Sequence, residues 1–451
     1  MRKRVFGFLT LFPSLLLSQP SGAGPLCPSP ASSAPSLAFT ITSFRPGDLD
    51  RTCAQRVDAA RRAGFTTATL VPAIMAVEDP TRPGPLPGLS AMRTVGADRT
   101  LNPGELERCL EITRAAGMDI VFQPHLEGIP TLTGRGEGVW RAGFDIRPND
   151  SFYETVFGEF NRWLREHASE LAASRTQVDI VPAAELERST ATYPSEWSAL
   201  VRRMRADIPE PLRTRARIGM NPNWNPHATN QIPTEENCDA YREMVRSFDF
   251  VAPSLYGNWQ PVLDAEDGLT GVRGRWDDVT RRLSREHRDG SSSARCRVPE
   301  FRTARMTVGE FGVGGNTRAI EADVPLSPPT IPQRREMIRR LLDWGSRAPE
   351  AASEAGAPPL PMSFWTLATF DPVGIAKSTG TVPDLAVVHM LRDYTRARCP
   401  GIDLPDLLRE PLRDPWGDSC PSSSPGTGIG PERLLGTGDS AVLPEIVTEV
   451  R

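Results

Sequence analysis

Short apolar runs alternate with amphipathic stretches along most of this chain. Leu37 to Phe44 reads as a first strand, followed by a helix from Arg51 to Ala63 that stops at Gly64. Thr66 to Pro72 reads as a second strand. A Pro- and Gly-rich loop then leads to Asn102, a good N-cap with Pro103 at the first helical position. That helix ends at Gly117, before a third strand from Asp119 to Pro124. Phe152, Val156, Phe160, Trp163 and Leu164 recur at helical spacing and predict an amphipathic helix over 151–173. The fourth strand runs through Val178-Asp179-Ile180-Val181-Pro182-Ala183-Ala184 and ends on Glu185. A helix near Pro194 to Ala206 leads to a fifth strand, Arg217 to Met220. Thr234 caps the next helix, and Phe250 to Leu255 is the sixth strand. A helix around Trp276 to His287 precedes the seventh, Met306-Thr307-Val308-Gly309-Glu310. A helix from Pro332 to Trp344, an eighth strand from Met362 to Trp365 and a helix from Pro383 to Arg396 complete the series.

Strand alternating with helix at this spacing favours a parallel sheet with right-handed crossovers. Eight such units predict a closed α/β (β/α)8 barrel, the TIM-barrel architecture. The barrel is expected over residues 36–399 as a single domain. Ahead of it, Arg2-Lys3-Arg4, the apolar stretch Val5 to Leu17 and Ser21-Gly22-Ala23 have the layout of a signal peptide over 1–23. Residues 24–35 read as a linker, and 400–451 as an irregular tail rich in Pro, Gly, Ser and Asp. The expected location is secreted or periplasmic, with no membrane span. A lipid anchor at Cys27 is the alternative, but Gly24-Pro25-Leu26 departs from the small residues such a signal places before its cysteine.

Composition adds boundaries. A chain of 451 residues, 39% apolar and 24% charged with net charge −4, is ordinary for a globular protein and has no basic patch suited to nucleic acid. Seven cysteines without a C-x-x-C pair suit disulfides better than zinc or dithiol chemistry. Cys53 and Cys109 fall on the first two helices, which are neighbours in a barrel, and Cys399 and Cys420 bracket a Pro-rich stretch after the last helix and could staple that tail. Five histidines, without H-x-H or H-x-x-x-H, predict no metal, and no cofactor is called for. Gly312-Val313-Gly314-Gly315 lacks the Lys and Ser/Thr of a phosphate loop.

The candidate chemistry lies in two acids. Glu185 and Glu310 end the fourth and seventh strands, and in a barrel the C-terminal strand ends meet at one face. Two carboxylates across a cleft can break a glycosidic bond, one protonating the leaving oxygen and the other acting at the anomeric carbon. Around them, Tyr256 has a hydroxyl to offer the Glu310 carboxylate and His125 a ring nitrogen for a sugar hydroxyl. Asn221, Asn223 and Trp224 follow the fifth strand, Trp259 the sixth, and Trp365 ends the eighth. Amides and indoles at a barrel mouth suit sugar recognition. Trp140-Arg141, after the third strand, extends the same region.

These segments resemble the clan of retaining β-glycosidases that carry the acid/base on strand four and the nucleophile on strand seven. They are most similar to glycoside hydrolase family 113, the β-mannanase family. The resemblance rests on Gln123-Pro124-His125, Ala184-Glu185-Leu186, Asn221-Pro222-Asn223-Trp224, Ser254-Leu255-Tyr256, Gly309-Glu310-Phe311-Gly312 and Phe364-Trp365. It implies that Glu185 is the acid/base and Glu310 the nucleophile of a double displacement. Many members of the clan place an asparagine where this chain has Ala184, which leaves the sugar open. The expectation is a secreted, monomeric glycoside hydrolase acting on a β-linked polysaccharide or oligosaccharide such as β-1,4-mannan. Its rival is a barrel of the same shape that binds glycan without cleaving it.

Overall fold

The computed structural model describes residue 27 and residues 33–43, 46–78, 91–94, 101–128, 141–223, 233–255, 260–284, 296–312, 330–348, 359–365 and 384–405. Strands β1 (Ser36–Ser43), β2 (Thr67–Glu78), β3 (Asp119–Phe122), β4 (Val178–Ala184) and β5 (Ala216–Asn221) pair side by side in chain order, all parallel. β6 comes in two pieces, Phe250–Val251 and Ser254–Leu255, interrupted at Ala252-Pro253, where the proline has no N–H to give a ladder. Its first piece pairs with β5 and its second with β7 (Glu310–Phe311). β7 pairs with β8 (Pro361–Phe364), and β8 pairs with β1. The ring therefore closes, and the expected (β/α)8 barrel is the fold.

Helices α1 (Asp48–Ala63), α2 (Glu105–Ala115), α3 (Asp150–Ala173), α4 (Glu187–Thr192), α5 (Pro194–Asp207), α6 (Cys238–Ser247), α7 (Gln260–Asp264), α8 (Gly268–Ser284), α9 (Glu300–Thr303), α10 (Ile331–Arg347) and α11 (Leu385–Arg398) fill the crossovers and close the chain. The stripe foreseen on α3 is its buried face, and Phe160 from it stacks on Phe122 of β3 with ring centroids 4.2 Å apart. Asn149 caps that helix, its side chain accepting from the Phe152 N–H at 3.0 Å.

The second helix begins differently from the sequence expectation. Asn102 is not its cap: α2 starts at Glu105 after Gly104, which takes a left-handed φ of 71°. The buried Glu105 carboxylate instead accepts from the backbone N–H groups of Gly47, Leu49 and Asn102. One side chain thereby serves the starts of two helices, a tertiary arrangement that the local capping rule does not contain.

β2 also runs further than its apolar core suggests. Its last residues leave the ring and pair with Ala91–Thr94 and with His125–Gly128, the continuation of β3 beyond Gln123-Pro124. Ala91–Thr94 in turn pairs with Asp145–Ile146. This annex at the C-terminal end of the barrel brings in residues from outside the eight strands.

Three disulfides join described residues. Cys53–Cys109 ties α1 to α2 as expected, and Cys238–Cys296 is the second. The third corrects the sequence reading: Cys399, at the end of α11, bonds to Cys27 and not to Cys420. Cys420, the signal-like segment and most of the tail lie outside the described residues. Disulfides belong to oxidising compartments, and no helix of the described residues is long and apolar enough to cross a membrane. Replacing Cys53 and Cys109 together by Ser should cost about 2–4 kcal/mol, read as a lower midpoint in denaturant unfolding. An unchanged midpoint would mean that this bond adds nothing to the barrel.

Candidate active site

Glu310 opens β7, and Ser254 stands opposite it on β6. The preceding residue has to be glycine: a Cβ on Gly309 would stand 2.1 Å from the Ala252 carbonyl and 2.6 Å from the Asn221 amide. That missing side chain lets the Asn221 amide approach Glu310. Glu310 Oε1 accepts from Gln123 Nε2 at 2.8 Å and Asn221 Nδ2 at 3.4 Å, and His125 Nε2 lies 2.8 Å away. The Ser254 hydroxyl donates to Asn221 Oδ1 at 2.9 Å, which turns the amide so that its N–H groups face the acid. Glu310, His125, Gln123 and Asn221 are each at most 2% exposed.

The His125–Glu310 contact has the geometry of an ion pair, but a neutral ring accounts for it. Burial pushes the imidazole down to about 3, and the positive charge of Arg141 acts in the same direction. A neutral ring with its proton on Nε2 still donates to the carboxylate. Gln123 Nε2, 3.3 Å from the same nitrogen, is then a second donor to Glu310 and not a partner of the ring. Trp365 stacks on His125 at 5.5 Å, nearly parallel, and is itself buried.

Glu185 follows β4, and its N–H still bonds the Asn221 carbonyl at 2.7 Å. It then adopts φ 52°, a left-handed conformation that costs a non-glycine residue roughly 1–2 kcal/mol. The turn carries the chain from the strand directly into α4. Asn223 Nδ2 donates to Glu185 Oε1 at 2.7 Å, and Arg141 Nη2 lies 3.0 Å from Oε2. Arg141 is on a short 3-10 turn (Arg141–Gly143) and also bonds Glu127 Oε1 of the annex at 2.7 Å.

The two acids are thus joined through β5. Asn221 touches Glu310 with its side chain and Glu185 with its carbonyl, while Asn223, two residues on, holds the Glu185 carboxylate. Asn221 is also the ladder partner of Ala184. An amide supplied by the neighbouring strand therefore stands beside Ala184.

Of the residues singled out from the sequence, the structure brings together Glu185, Glu310, His125, Arg141, Asn221, Asn223 and Trp365. Trp140, Trp224, Tyr256 and Trp259 lie outside the described residues. Four participants were not chosen as site residues. Gln123 had a signal, because it shares a strand side with His125 at period two. Ser254 belongs to the segment Ser254-Leu255-Tyr256 that carries the resemblance, whereas Glu127 and Glu187 have no signal beyond their nearness to such segments. Among the described residues, no group of three or more His, Cys, Asp or Glu side chains is arranged to hold a metal ion.

Glu187 is the unusual group. It sits at the start of α4, 6% exposed, and its Oε1 accepts from the Asn223 backbone N–H. Burial, with the adjacent charge of Glu185, raises its carboxyl from 4.5 to about 8. The sign of the consequence follows. Between about pH 4.5 and 8 the folded protein keeps a proton that the unfolded chain has released, so this group makes stability fall as pH rises across that window. The slope is at most about 1.4 kcal/mol per pH unit. Glu187→Gln should be more stable than the wild type at pH 8 and show a flatter stability profile, measured by denaturant midpoints from pH 5 to 8. Identical profiles would show that Glu187 ionises like an exposed glutamate.

No protein-family model matches the chain, and no curated protein matches its sequence. Solved structures do align with it. A glycoside hydrolase family 113 β-1,4-mannanase has 13% identity and a TM-score of 0.44, covering 81% of this chain and 99% of that one. A family 113 β-mannanase from Alicyclobacillus acidocaldarius has 13% identity and a TM-score of 0.46, covering 81% and 97%. An endo-1,4-β-mannanase from Rhizomucor miehei has 10% identity and a TM-score of 0.41, covering 83% and 98%. Likenesses at this level say nothing about the reaction. The closed barrel stands on the strand pairings themselves.

Proposed function

We propose that this protein is a secreted glycoside hydrolase that cleaves a β-linked polysaccharide with retention of configuration. The observation that carries the reading is the contrast between two buried acids, Glu185 just past β4 and Glu310 at the first residue of β7, where the sequence pattern places it last. Among the described residues, Glu310 accepts from the neutral amides of Gln123 and Asn221 and has the His125 ring within donating distance, contacts that orient a carboxylate and suit a nucleophile. Glu185 is held by an amide and by an arginine, contacts that can be exchanged as its protonation changes. In the first step Glu310 attacks the anomeric carbon while Glu185 gives its proton to the departing oxygen. In the second, Glu185 takes a proton from water, which attacks the glycosyl-enzyme and frees Glu310. On the strand-end resemblance, β-1,4-mannan is the first substrate to test.

One contact favours the second reading, a barrel that binds glycan without cleaving it. The Arg141 guanidinium suits a charged Glu185, and an acid that donates a proton has to leave that contact. A panel of β-linked glycans separates the two. New reducing ends, with the first product in the β configuration by NMR, support the hydrolase. Glycan binding without product on every member of the panel supports the binding barrel.

A further inference from the structure

We infer that Glu187 is a positioning residue for Glu185, acting as a neutral carboxylic acid that fixes Asn223 against it. The inference rests on the glycosidase reading and extends it to a residue that touches neither substrate nor reacting atom. Among the described residues, Asn223 is held at two points. Its backbone N–H donates to Glu187 Oε1, and its side chain donates to Glu185 Oε1 at 2.7 Å. Asn223 is 2% exposed and follows Pro222, so the Glu187 carboxyl sets where its amide lies.

The charges around this point explain why the acid works in its neutral form. Glu185, two residues earlier, faces Glu187 across the left-handed turn. The cation acting on it is Arg141, which is already engaged by Glu127 and Glu185. Glu187 Oε2 is buried and finds no hydrogen-bond partner among the described residues. An ionised oxygen in that position is far more costly than a hydroxyl. The raised affinity of Glu187 for its proton agrees with this geometry. Once Glu187 ionises, its charge competes for Arg141 and disturbs the setting of Glu185.

The test compares Glu187→Ala and Glu187→Gln with the wild type, on a β-glycan and on an aryl glycoside with an activated leaving group. Glu187→Ala should lose about tenfold to a hundredfold in kcat/KM on the glycan, as expected for a displaced catalytic group. It should lose much less in glycosyl-enzyme formation from the activated substrate, which needs little acid assistance. Glu187→Gln presents the same carbonyl oxygen without a titrating proton, so it should restore most of the loss and move the alkaline limb of the wild-type profile, near pH 8, to higher pH. An infrared band from a protonated carboxyl at pH 6, absent in Glu187→Gln, should report the neutral acid without reference to turnover. Equal losses on both substrates, no rescue by Gln, or no such band would overturn the inference. A wild type that cleaves no glycan, or a Glu185→Ala variant with wild-type kinetics, would instead overturn the glycosidase reading.

Discussion

Glu310→Gln should abolish turnover of the β-glycan, by on the order of 10⁴-fold or more, while glycan binding persists. The substitution removes one negative charge and changes almost no volume. Gln123 and Asn221 donate to Glu310 Oε1 at 2.8 and 3.4 Å, and the neutral His125 ring lies within donating distance. An amide carbonyl oxygen can accept from the same groups, so the pocket keeps its shape. What it loses is the ability to form a covalent bond to the anomeric carbon. Initial rates on β-mannan, with calorimetry of an oligosaccharide, measure both halves of the expectation. A variant with wild-type turnover would remove Glu310 from the nucleophile role. A variant that no longer binds glycan would mean that the negative charge, and not the nucleophile, was tested.

The legible parts of the molecule are those governed by short-range pattern. The apolar run 178–184 is β4 with every residue buried, and the stripe from Phe152 to Leu164 is the inner face of α3. Strand ends can be read where such runs stop, and Glu185 lies just past one. β7 shows where the pattern weakens. Met306 makes only an isolated bridge to Val251, and regular pairing begins at Glu310, because β6 is broken at Pro253. The start of α2 and the Cys27–Cys399 bond were misread for a related reason. Each is decided by segments far apart in the chain, Glu105 against Gly47 and α11 against residue 27. The surroundings of Glu185 were the least legible part of the site. Arg141 reaches it from the 3-10 turn and is held by Glu127 of the annex, and Glu187 reaches Asn223 where Glu185 turns left-handed. Strand periodicity encodes none of these three contacts.

Those contacts give Glu185→Ala an expected signature distinct from that of Glu310→Gln. Truncation leaves Arg141 paired with Glu127 and leaves Asn223 held by Glu187, so the barrel should fold and Glu310 should keep its donors. On substrates with poor leaving groups, where bond breaking needs a proton, kcat/KM should fall about 10²- to 10⁴-fold. An activated aryl glycoside should still form the glycosyl-enzyme, because its phenolate departs without help. The intermediate should then persist, since no base remains to deprotonate water. Azide needs no such base and, once small enough to enter the vacated space, has the Arg141 guanidinium to attract it. Added azide should therefore speed turnover of the aryl glycoside and release a β-glycosyl azide, identified by NMR. Retention in that product would follow from two successive inversions at the same carbon. If azide neither speeds release nor yields the β product, or if leaving-group quality makes no difference to the loss, Glu185 is not the acid/base, and the Arg141 contact marks a carboxylate that stays charged.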